Sequence, residues 1–492
     1  MIRVVENVFV TEGVPQETFV EPPNFGQILV DIRRPGKPVV IEGASGTGKT
    51  STVKKILERL GHANIWTYWT ARKVGDAIAA AELANTPRPG IFIIDDFHKL
   101  PEKIQAQLAD IAKTAAEEVD AKTHPKLVLI GINQVGSALV QFAPDIAKRC
   151  AIHQINPASK EVTLELIARG CAALNISFDN PNLIYAESQG DYWLTQALCS
   201  EACTTAKIYE SQPELKVLGI DITFIRQQMV DRLQHAYYES VKDFCRGRRF
   251  RPSNDPYYRI LRFISTKGGN QSSVDLVELA NANPEISGSI NNVKDHRLAG
   301  LLKEKPKAGQ YFYYNPSTAR FAIEDPAVFY FLRNLDWERL RSDCGFRDTT
   351  EHQKNFDVAI SFAGENRELA REVANRLSEL DVAVFFDENF EIAYLGRRLG
   401  DEFERVFSTG SRFVLCLLDR FHREKIWPTF ERDTFLPRIK AQEVIPIYLD
   451  DTTFPGIPSD VFGIKFAYDP LKEDWRATVD DHIVLPLIDR IG

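Results

Sequence analysis

The feature that most constrains this chain is a glycine-rich loop at residues 43–50, which reads Gly-Ala-Ser-Gly-Thr-Gly-Lys-Thr. An apolar run, 38–41, precedes the loop, and an amphipathic segment that begins at Ser51 follows it. This order predicts a strand, a phosphate-binding loop and a helix. Glycines let the loop curl until its N–H groups face one point, and these groups favour an anion of several charges. The loop therefore predicts a nucleotide site.

The side chains of this loop have separate expected roles. We expect Lys49 to reach the β- and γ-phosphates and the Thr50 hydroxyl to ligate Mg²⁺. The other expected nucleotide contacts come from the remaining loop residues and the start of the helix, namely Gly43, Ser45, Gly46, Thr47, Gly48 and Ser51.

Two acids follow a second apolar run, 91–94. We expect Asp95 to hold Mg²⁺, largely through water, and Asp96 to orient or deprotonate an attacking water. The alternative for such a pair is that it caps the following helix. The next apolar run presents Asn133, which is placed to contact the γ-phosphate unless it is a simple turn residue.

Composition excludes several classes of protein. A net charge of −8 over 492 residues argues against a surface built throughout to bind nucleic acid. The chain shows no apolar run of about 18 residues that would span a membrane, and no secretory signal. Its seven cysteines, an odd number, indicate reduced thiols, so we expect a cytoplasmic protein without a membrane partner. Cys199 and Cys203 are better explained as a buried pair than as half of a metal site.

The order of apolar runs and helical patterns predicts an α/β protein with several domains. Helical segments alternate with strand-like apolar runs, as in a parallel sheet, at 39–41, 65–69, 91–94, 127–130 and 152–155. A second α/β block begins near residue 355, with strands predicted near 356–362, 382–386, 411–418 and 443–449. Between the two blocks lie a helical region, a mixed region with a predicted hairpin at 310–314, and a polar linker. We expect the domains to span 1–155, 156–235, 236–340, 341–354 (the linker) and 355–492.

Residues 14–335 resemble the STAND and AAA-type signalling ATPases. The resemblance is carried by the loop at 43–50, the pair Asp95-Asp96, Asn133 and Arg149. It implies a P-loop NTPase core, a helical lid over 156–235, a winged helix over 236–340, bound ATP with Mg²⁺, and self-association into a homo-oligomer. It also implies that Arg149 senses the γ-phosphate, often across a subunit interface; the alternative is a surface arginine at a helix end.

Residues 355–470 resemble a TIR domain of the bacterial type, which has a flavodoxin-like fold. Its marks include Ser-Phe-Ala-Gly at 361–364, and Trp427 with Glu431 four residues later. The resemblance implies that Glu431 is required to cleave the nicotinamide–ribose bond of NAD⁺, since a carboxylate stabilises oxocarbenium character on the ribose. The predicted NAD⁺ pocket consists of Phe362, Ala363, Arg397 and Trp427. The alternative is a core tryptophan with a solvated Glu431.

Together these segments predict a nucleotide-gated NAD⁺-cleaving enzyme that acts on oligomerisation, with a role in antiviral defence inferred from the architecture. One alternative is a TIR scaffold that breaks no bond and is controlled by the ATPase. Another is an ATP-dependent regulator that binds nucleic acid through the arginine-rich stretch 246–251. No sensor repeat is visible, so either the ATPase and winged-helix modules or a separate activator chain detects the trigger. A linear and a cyclic ADP-ribose product both remain open.

Overall fold

The computed structural model describes residues 2–61, 66–118, 124–132, 149–248, 250, 255–267, 271–283, 287, 290–291, 293–294, 297–346, 356–380, 382–386, 403–425, 437–454, 457, 462–472 and 474–491. The chain divides into two compact units. The first comprises Met1–Tyr238, Gly268–Ser273 and Ala322–Leu335. The second comprises Glu239–Lys267, Val274–Phe321 and Asp336–Gly492.

The first unit is built on a parallel five-stranded sheet, as the alternating pattern predicted. Its strands run in the order β2-β3-β4-β1-β5. They are β1 (Val39–Glu42), β2 (Trp66–Thr70), β3 (Gly90–Asp95), β4 (Pro125–Gly131) and β5 (Ala151–Gln154). The carboxyl ends of β1 and β3 lie at one edge, which brings the phosphate-binding loop and the Asp95-Asp96 pair together.

Successive apolar residues of these strands pack on opposite faces of the sheet, because side chains alternate along a strand. Val40 belongs to a core that includes the helices Val74–Asn85 and Glu102–Glu118. Its neighbours Val39 and Ile41 belong to the core on the other face, with residues of the helices Phe25–Arg33 and Lys49–Leu60. Each fully buried Val or Ile contributes about 1.5–3 kcal/mol to folding. Burial on both faces fixes the sheet that carries the site.

A helical layer follows β5, in the region where a helical lid was predicted; the lid assignment itself stays a prediction. Its helix Tyr192–Thr205 begins where the Asp191 carboxylate accepts a hydrogen bond of 2.7 Å from the N–H of Leu194. Such capping satisfies an N–H group that has no partner within the helix. Two short strands, β6 (Ile176–Phe178) and β7 (Lys216–Leu218), pair in parallel beside these helices.

The return segment Ala322–Leu335 belongs to the first unit, although it lies far along the chain from the rest of that unit. Asp325 caps its helix, Pro326–Arg333, by accepting a 2.8 Å hydrogen bond from the N–H of Ala327. Proline suits the first helical position because it has no N–H to satisfy.

A small sheet of three strands occupies the region where a winged helix was predicted. β8 (Ser273–Asp275), β9 (Phe312–Asn315) and β10 (Arg320–Ile323) lie in the order β8-β10-β9. The hairpin predicted at 310–314 falls on β9, which neighbours β10 in this sheet. The winged-helix assignment itself stays a prediction.

The second unit contains another parallel sheet, in the order β12-β11-β13-β14-β15. Its strands are β11 (Phe356–Ser361), β12 (Val384–Phe385), β13 (Ser411–Leu418), β14 (Val444–Tyr448) and β15 (Ile464–Lys465). The first four were predicted from apolar runs. β15 has two residues, too short to show a pattern. The α/β fold class expected for both blocks is confirmed.

The remaining described helices complete the two units. They are Val5–Val8, Lys160–Leu174, Pro181–Ser188, Ile222–Cys245, Pro256–Lys267, Leu276–Ala282, Arg297–Glu304, Trp337–Cys344, Arg367–Glu379, Arg420–Lys425, Trp475–Val479 and Leu485–Ile491. Short 3₁₀ or π turns occur at Phe97–Lys99, Ala308–Gln310, Gly364–Asn366, Val406–Gly410 and Asp480–Val484. In the part of the chain that the structure describes, no helix is long and apolar enough to cross a membrane.

Candidate functional sites

The phosphate-binding loop has the backbone that its glycines predicted. Gly46 and Gly48 both have φ of +82°, a conformation that other residues rarely adopt. A side chain at Gly46 would overlap the carboxylate of Asp191, which lies against the loop. Burial raises the pKa of Asp191 to about 6. The start of the helix Tyr192–Thr205 therefore closes over the loop.

Lys49 is the cation of the loop. Its Nζ donates hydrogen bonds to the carbonyls of Gly43 and Ala44, at 3.0 and 2.6 Å. Burial lowers the pKa of Lys49 to about 8, against the opposing charge of Asp95. A phosphate group would place a further negative charge beside this buried ammonium and favour its charged form.

Thr50 and Asp95, the two predicted Mg²⁺ ligands, are in contact. The Thr50 hydroxyl donates a 2.7 Å hydrogen bond to Asp95 Oδ2, which also accepts one from the hydroxyl of Tyr68. Among the described residues, no group of three or more His, Cys, Asp or Glu side chains could hold a metal. Mg²⁺ keeps several waters and takes oxygens from phosphates, so one hydroxyl and one carboxylate fit it when it arrives with a nucleotide.

Asp96 is held more firmly than a free general base would be. Its Oδ2 accepts hydrogen bonds from Arg72 Nε at 2.8 Å and from the Thr70 hydroxyl at 3.0 Å. Although burial acts to raise it, the pKa of Asp96 is lowered, because Arg72 stabilises the carboxylate. Asp96 also adopts a left-handed φ of 55°, so its position is fixed by both backbone and side chain.

These groups line one cavity of about 470 Å³, a size typical of small-molecule sites. At one end lie Lys49, Thr50, Arg72, Asp95 and Asp96. The other walls are more apolar and come from the N-terminal stretch and the helical layer, including Val14, Pro15, Phe19, Val20, Leu166, Tyr192 and Trp193. A charged end with an apolar end suits a molecule that joins phosphates to a flat ring.

The return segment also reaches this cavity. The Ser45 hydroxyl donates a hydrogen bond to the Glu324 carbonyl, and Glu324 lines the cavity. The Glu324 side chain is fully buried, with His98 Nε2 2.6 Å and Lys99 Nζ 2.5 Å from its carboxylate oxygens. Burial acts to raise the pKa of Glu324, but these two partners outweigh it and lower the pKa.

The other predicted nucleotide residues are not all placed at the cavity. Gly43, Ser45, Gly46, Thr47, Gly48 and Ser51 all belong to the loop and the first turn of its helix. Arg149 forms an ion pair with Glu117 and is not among the described residues that line the cavity. Asn133 lies outside the described residues.

In the second unit, Phe362 and Ala363 follow β11 directly and are both buried. The Phe362 ring lies 5.4 Å from that of Phe386 and beneath the guanidinium of Arg367. Arg397, Trp427 and Glu431 lie outside the described residues. The structure thus describes only this part of the predicted NAD⁺ pocket.

Polar side chains join the carboxyl ends of β11 and β13. Ser361 Oγ and His422 Nε2 are 3.0 Å apart, and the Asn366 side-chain amide donates to Asp419 Oδ2 at 2.9 Å. Asp419 also accepts a 2.8 Å hydrogen bond from the His422 N–H. Burial lowers the pKa of His422 to about 4, so its ring is neutral at pH 7. These contacts fix the loop of Phe362 and Ala363 relative to the helix Arg420–Lys425.

The described part of the arginine-rich stretch 246–251 makes contacts within the protein. The Arg246 guanidinium lies 4.2 Å from the centre of the Phe250 ring. Arg248 is ion-paired with Glu304 and donates to the Glu379 carbonyl at 3.5 Å. Two of the charges proposed for nucleic acid are therefore engaged by the chain itself.

Sequence reasoning missed Tyr68, Arg72 and Glu324. Arg72 follows a predicted strand of the same sheet, and the carboxyl ends of such strands meet at one edge. This position after a strand is the sequence signal that could have identified Arg72 as a residue of the site. Glu324 gave no such signal, since it lies 226 residues from its partner His98.

Comparison with known proteins adds an independent finding for the second unit. Residues 358–483 match the family model described as "TIR domain". The curated "3' cyclic ADP-D-ribose synthase AaTIR" of Aquimarina amphilecti is 33% identical over 105 residues, 21% of this chain. The chain spans about a third, 32%, of the length of that relative.

Solved structures are similar to a larger share of the chain. The Aeropyrum pernix ORC1 protein in complex with DNA is 16% identical, with 70% of this chain and 97% of that chain covered and a TM-score of 0.37. The Walker-type ATPase of Pyrococcus abyssi is 15% identical, with coverage of 66% and 99% and a TM-score of 0.40. The RuvB branch migration motor of Thermotoga maritima is 16% identical, with coverage of 63% and 96% and a TM-score of 0.33.

The loop geometry, the parallel sheet and the acidic pair at its edge define the first unit as a P-loop ATPase-like module. The family match defines the second α/β block as a TIR domain. The chain is a TIR domain fused to a P-loop ATPase module.

Proposed function

We propose that this chain is a nucleotide-controlled enzyme whose TIR domain cleaves the nicotinamide–ribose bond of NAD⁺. The observation that carries the proposal is the similarity of the TIR domain to a protein named as a cyclic ADP-ribose synthase. ADP-ribose is the part of NAD⁺ that remains when nicotinamide leaves. An enzyme of this kind therefore breaks that bond, whether its product is linear or cyclic.

Glu431 is the proposed catalytic residue. Departure of nicotinamide leaves positive charge on the ribose, which a nearby carboxylate stabilises in the transition state. We assign the NAD⁺ pocket to the residues predicted for it, Phe362, Ala363, Arg397 and Trp427. The contacts that join Ser361 to His422 support this assignment, because they hold the loop that carries two of these residues.

ATP with Mg²⁺ is the proposed controlling ligand of the ATPase module. The charged end of the cavity, with Lys49, Thr50 and Asp95, suits the phosphates and their cation. The apolar end suits adenine, and its walls include Val14, Pro15 and Phe19 of the N-terminal stretch. Asn133 and Arg149 stay proposed contacts of the γ-phosphate, Arg149 across a subunit interface.

We further propose that the nucleotide state controls self-association, so that neighbouring TIR domains complete each other's sites in a cytoplasmic homo-oligomer. The trigger is detected either by the ATPase and winged-helix modules or by a separate activator chain. We also propose a role in antiviral defence, where loss of NAD⁺ arrests the infected cell; the resemblance in architecture supports this role.

The test is nicotinamide release from NAD⁺ by the full chain with ATP and Mg²⁺. We expect Glu431→Ala to lower release at least about 100-fold, since a carboxylate that stabilises a developing charge is worth about 3 kcal/mol or more. Glu424→Ala is the matched control, because Glu424 is an exposed glutamate of the same domain. Equal release by Glu431→Ala and the wild type would contradict the proposal, and product analysis separates linear from cyclic ADP-ribose.

A further inference from the structure

Arg72 is a cation of the nucleotide cavity to which sequence reasoning gave no role. It follows β2, and its side chain is about half exposed, at 46%. It lines the same end of the cavity as Lys49, Thr50 and Asp95, the groups that mark the expected position of the β- and γ-phosphates and Mg²⁺.

Arg72 is held at this end by two carboxylates. Its Nε donates to Asp96 Oδ2 at 2.8 Å, and its Nη2 lies 3.9 Å from Glu324 Oε2. Glu324 does not depend on Arg72 for its charge balance, because His98 and Lys99 are both closer to its carboxylate. The guanidinium is therefore bound mainly through one contact, to Asp96.

A guanidinium presents several N–H donors in one plane and matches the oxygens of a phosphate group better than a lone carboxylate oxygen. Asp96 would keep the Thr70 hydroxyl as a partner if Arg72 turned away. Arg72 can therefore exchange its contact with Asp96 for one with a phosphate, and few groups are left without a partner. Arg149, the arginine that resemblance proposed for the γ-phosphate, is ion-paired with Glu117 instead.

We propose that Arg72 binds the γ-phosphate within its own subunit and is the residue by which this site distinguishes a nucleoside triphosphate from a diphosphate. This inference rests on the proposed nucleotide site. Binding of the triphosphate would also release Asp96 from its ion pair with Arg72. The contact of Arg72 with the γ-phosphate would then determine whether Asp96 is ion-paired.

The test is equilibrium binding of ATP and of ADP, each with Mg²⁺, to the full chain by calorimetry. We expect Arg72→Ala to weaken ATP binding about 30-fold and ADP binding less than about twofold, because a charge-assisted contact to one phosphate is lost. Arg72→Lys keeps the charge without the planar donors, so it should restore part of the ATP affinity. Because Arg72 is half exposed, the Ala variant is expected to fold.

The matched control is Arg232→Ala, which removes an exposed arginine whose ion pair with Glu201 lies outside the cavity. It should leave both affinities unchanged. Equal losses of ATP and ADP affinity in Arg72→Ala, or no loss, would overturn the inference. Failure of the wild-type chain to bind either nucleotide would instead overturn the proposed nucleotide site.

Discussion

The two parallel sheets of this chain carry their candidate sites at the same edge, the carboxyl ends of the strands, but the polar groups at the two edges differ in their contacts. In the ATPase module, charged groups converge at the carboxyl ends of the strands, and Lys49, Arg72, Asp95 and Asp96 all line a cavity. In the TIR domain, the described polar groups at that edge bind one another, as His422 does Ser361. The first edge has the charged groups of the proposed nucleotide and Mg²⁺ site already in place. The second is a rigid support for neighbouring loops.

The two sites should therefore respond differently to the loss of a polar group. Removal of a charge from the cavity should change ligand binding more than stability, since the groups there line the proposed nucleotide site. Removal of a polar group from the buried Ser361–His422 contact should change stability first, because a buried hydrogen bond is lost.

The largest expected effect is on nucleotide binding by Lys49→Ala. We expect ATP and ADP affinity to fall about 1,000-fold, since the buried ammonium is the main positive charge facing the phosphates. Calorimetry of the full chain measures this loss. Binding by the variant within a few-fold of the wild type would show that Lys49 does not bind the phosphates. The proposed difference between the two edges would then be wrong.

The next prediction concerns acid stability of the TIR domain. The folded-state pKa of His422 is lowered from 6.5 to about 4 by burial, so between these values the unfolded chain binds a proton that the folded chain does not. Stability should therefore fall as the pH falls from 6.5 to 4, by about 3 kcal/mol in total from this residue. Denaturant unfolding at several pH values measures it.

His422→Leu separates the loss of stability due to protonation of His422 from that due to other groups. It should be less stable at pH 7 by about 1–3 kcal/mol, because the buried hydrogen bond between Ser361 and His422 is lost, while the part of the acid sensitivity due to His422 disappears. Unchanged acid sensitivity in His422→Leu would show that other groups cause it. ATP affinity should not change, since His422 is not among the residues that line the nucleotide cavity.

The smallest predicted effect is the pH dependence of nucleotide affinity. The pKa of Lys49 is lowered to about 8 by burial, and a bound phosphate would raise it again. Above pH 8 the free protein must regain a proton to bind, so affinity should fall about eightfold between pH 7.5 and 9. Lys49→Arg keeps its charge throughout this range and should bind with little pH dependence. An equal decline in both proteins would contradict the assignment to Lys49.

Local patterns predicted much of the architecture. Apolar runs located β1 to β5 and β11 to β14, because strands buried on both faces appear as short continuous apolar segments. The loop at 43–50 and the acids at 95 and 96 were located because each lies next to the strand that positions it. The contact of Thr50 with Asp95 followed from that topology.

Contacts that depend on the path of the whole chain could not be predicted in this way. Glu324 reaches the phosphate-binding loop only because the segment Ala322–Leu335 returns to the first unit. The pairing of Ser361 with His422 likewise joins residues 61 positions apart. The roles of Asn133, Arg397, Trp427 and Glu431 stay predictions, since these residues lie outside the described part of the chain.

The central claim is that the nucleotide cavity controls the TIR domain. The most direct measurement is nicotinamide release by the full chain with ATP and Mg²⁺, with ADP and Mg²⁺, and without nucleotide, in parallel with Lys49→Ala. We predict that ATP raises release by the wild type at least about tenfold over ADP, which needs about 1.4 kcal/mol of coupling, and that Lys49→Ala shows no such difference. Measurable release that is the same under all three conditions in the wild type would contradict the account.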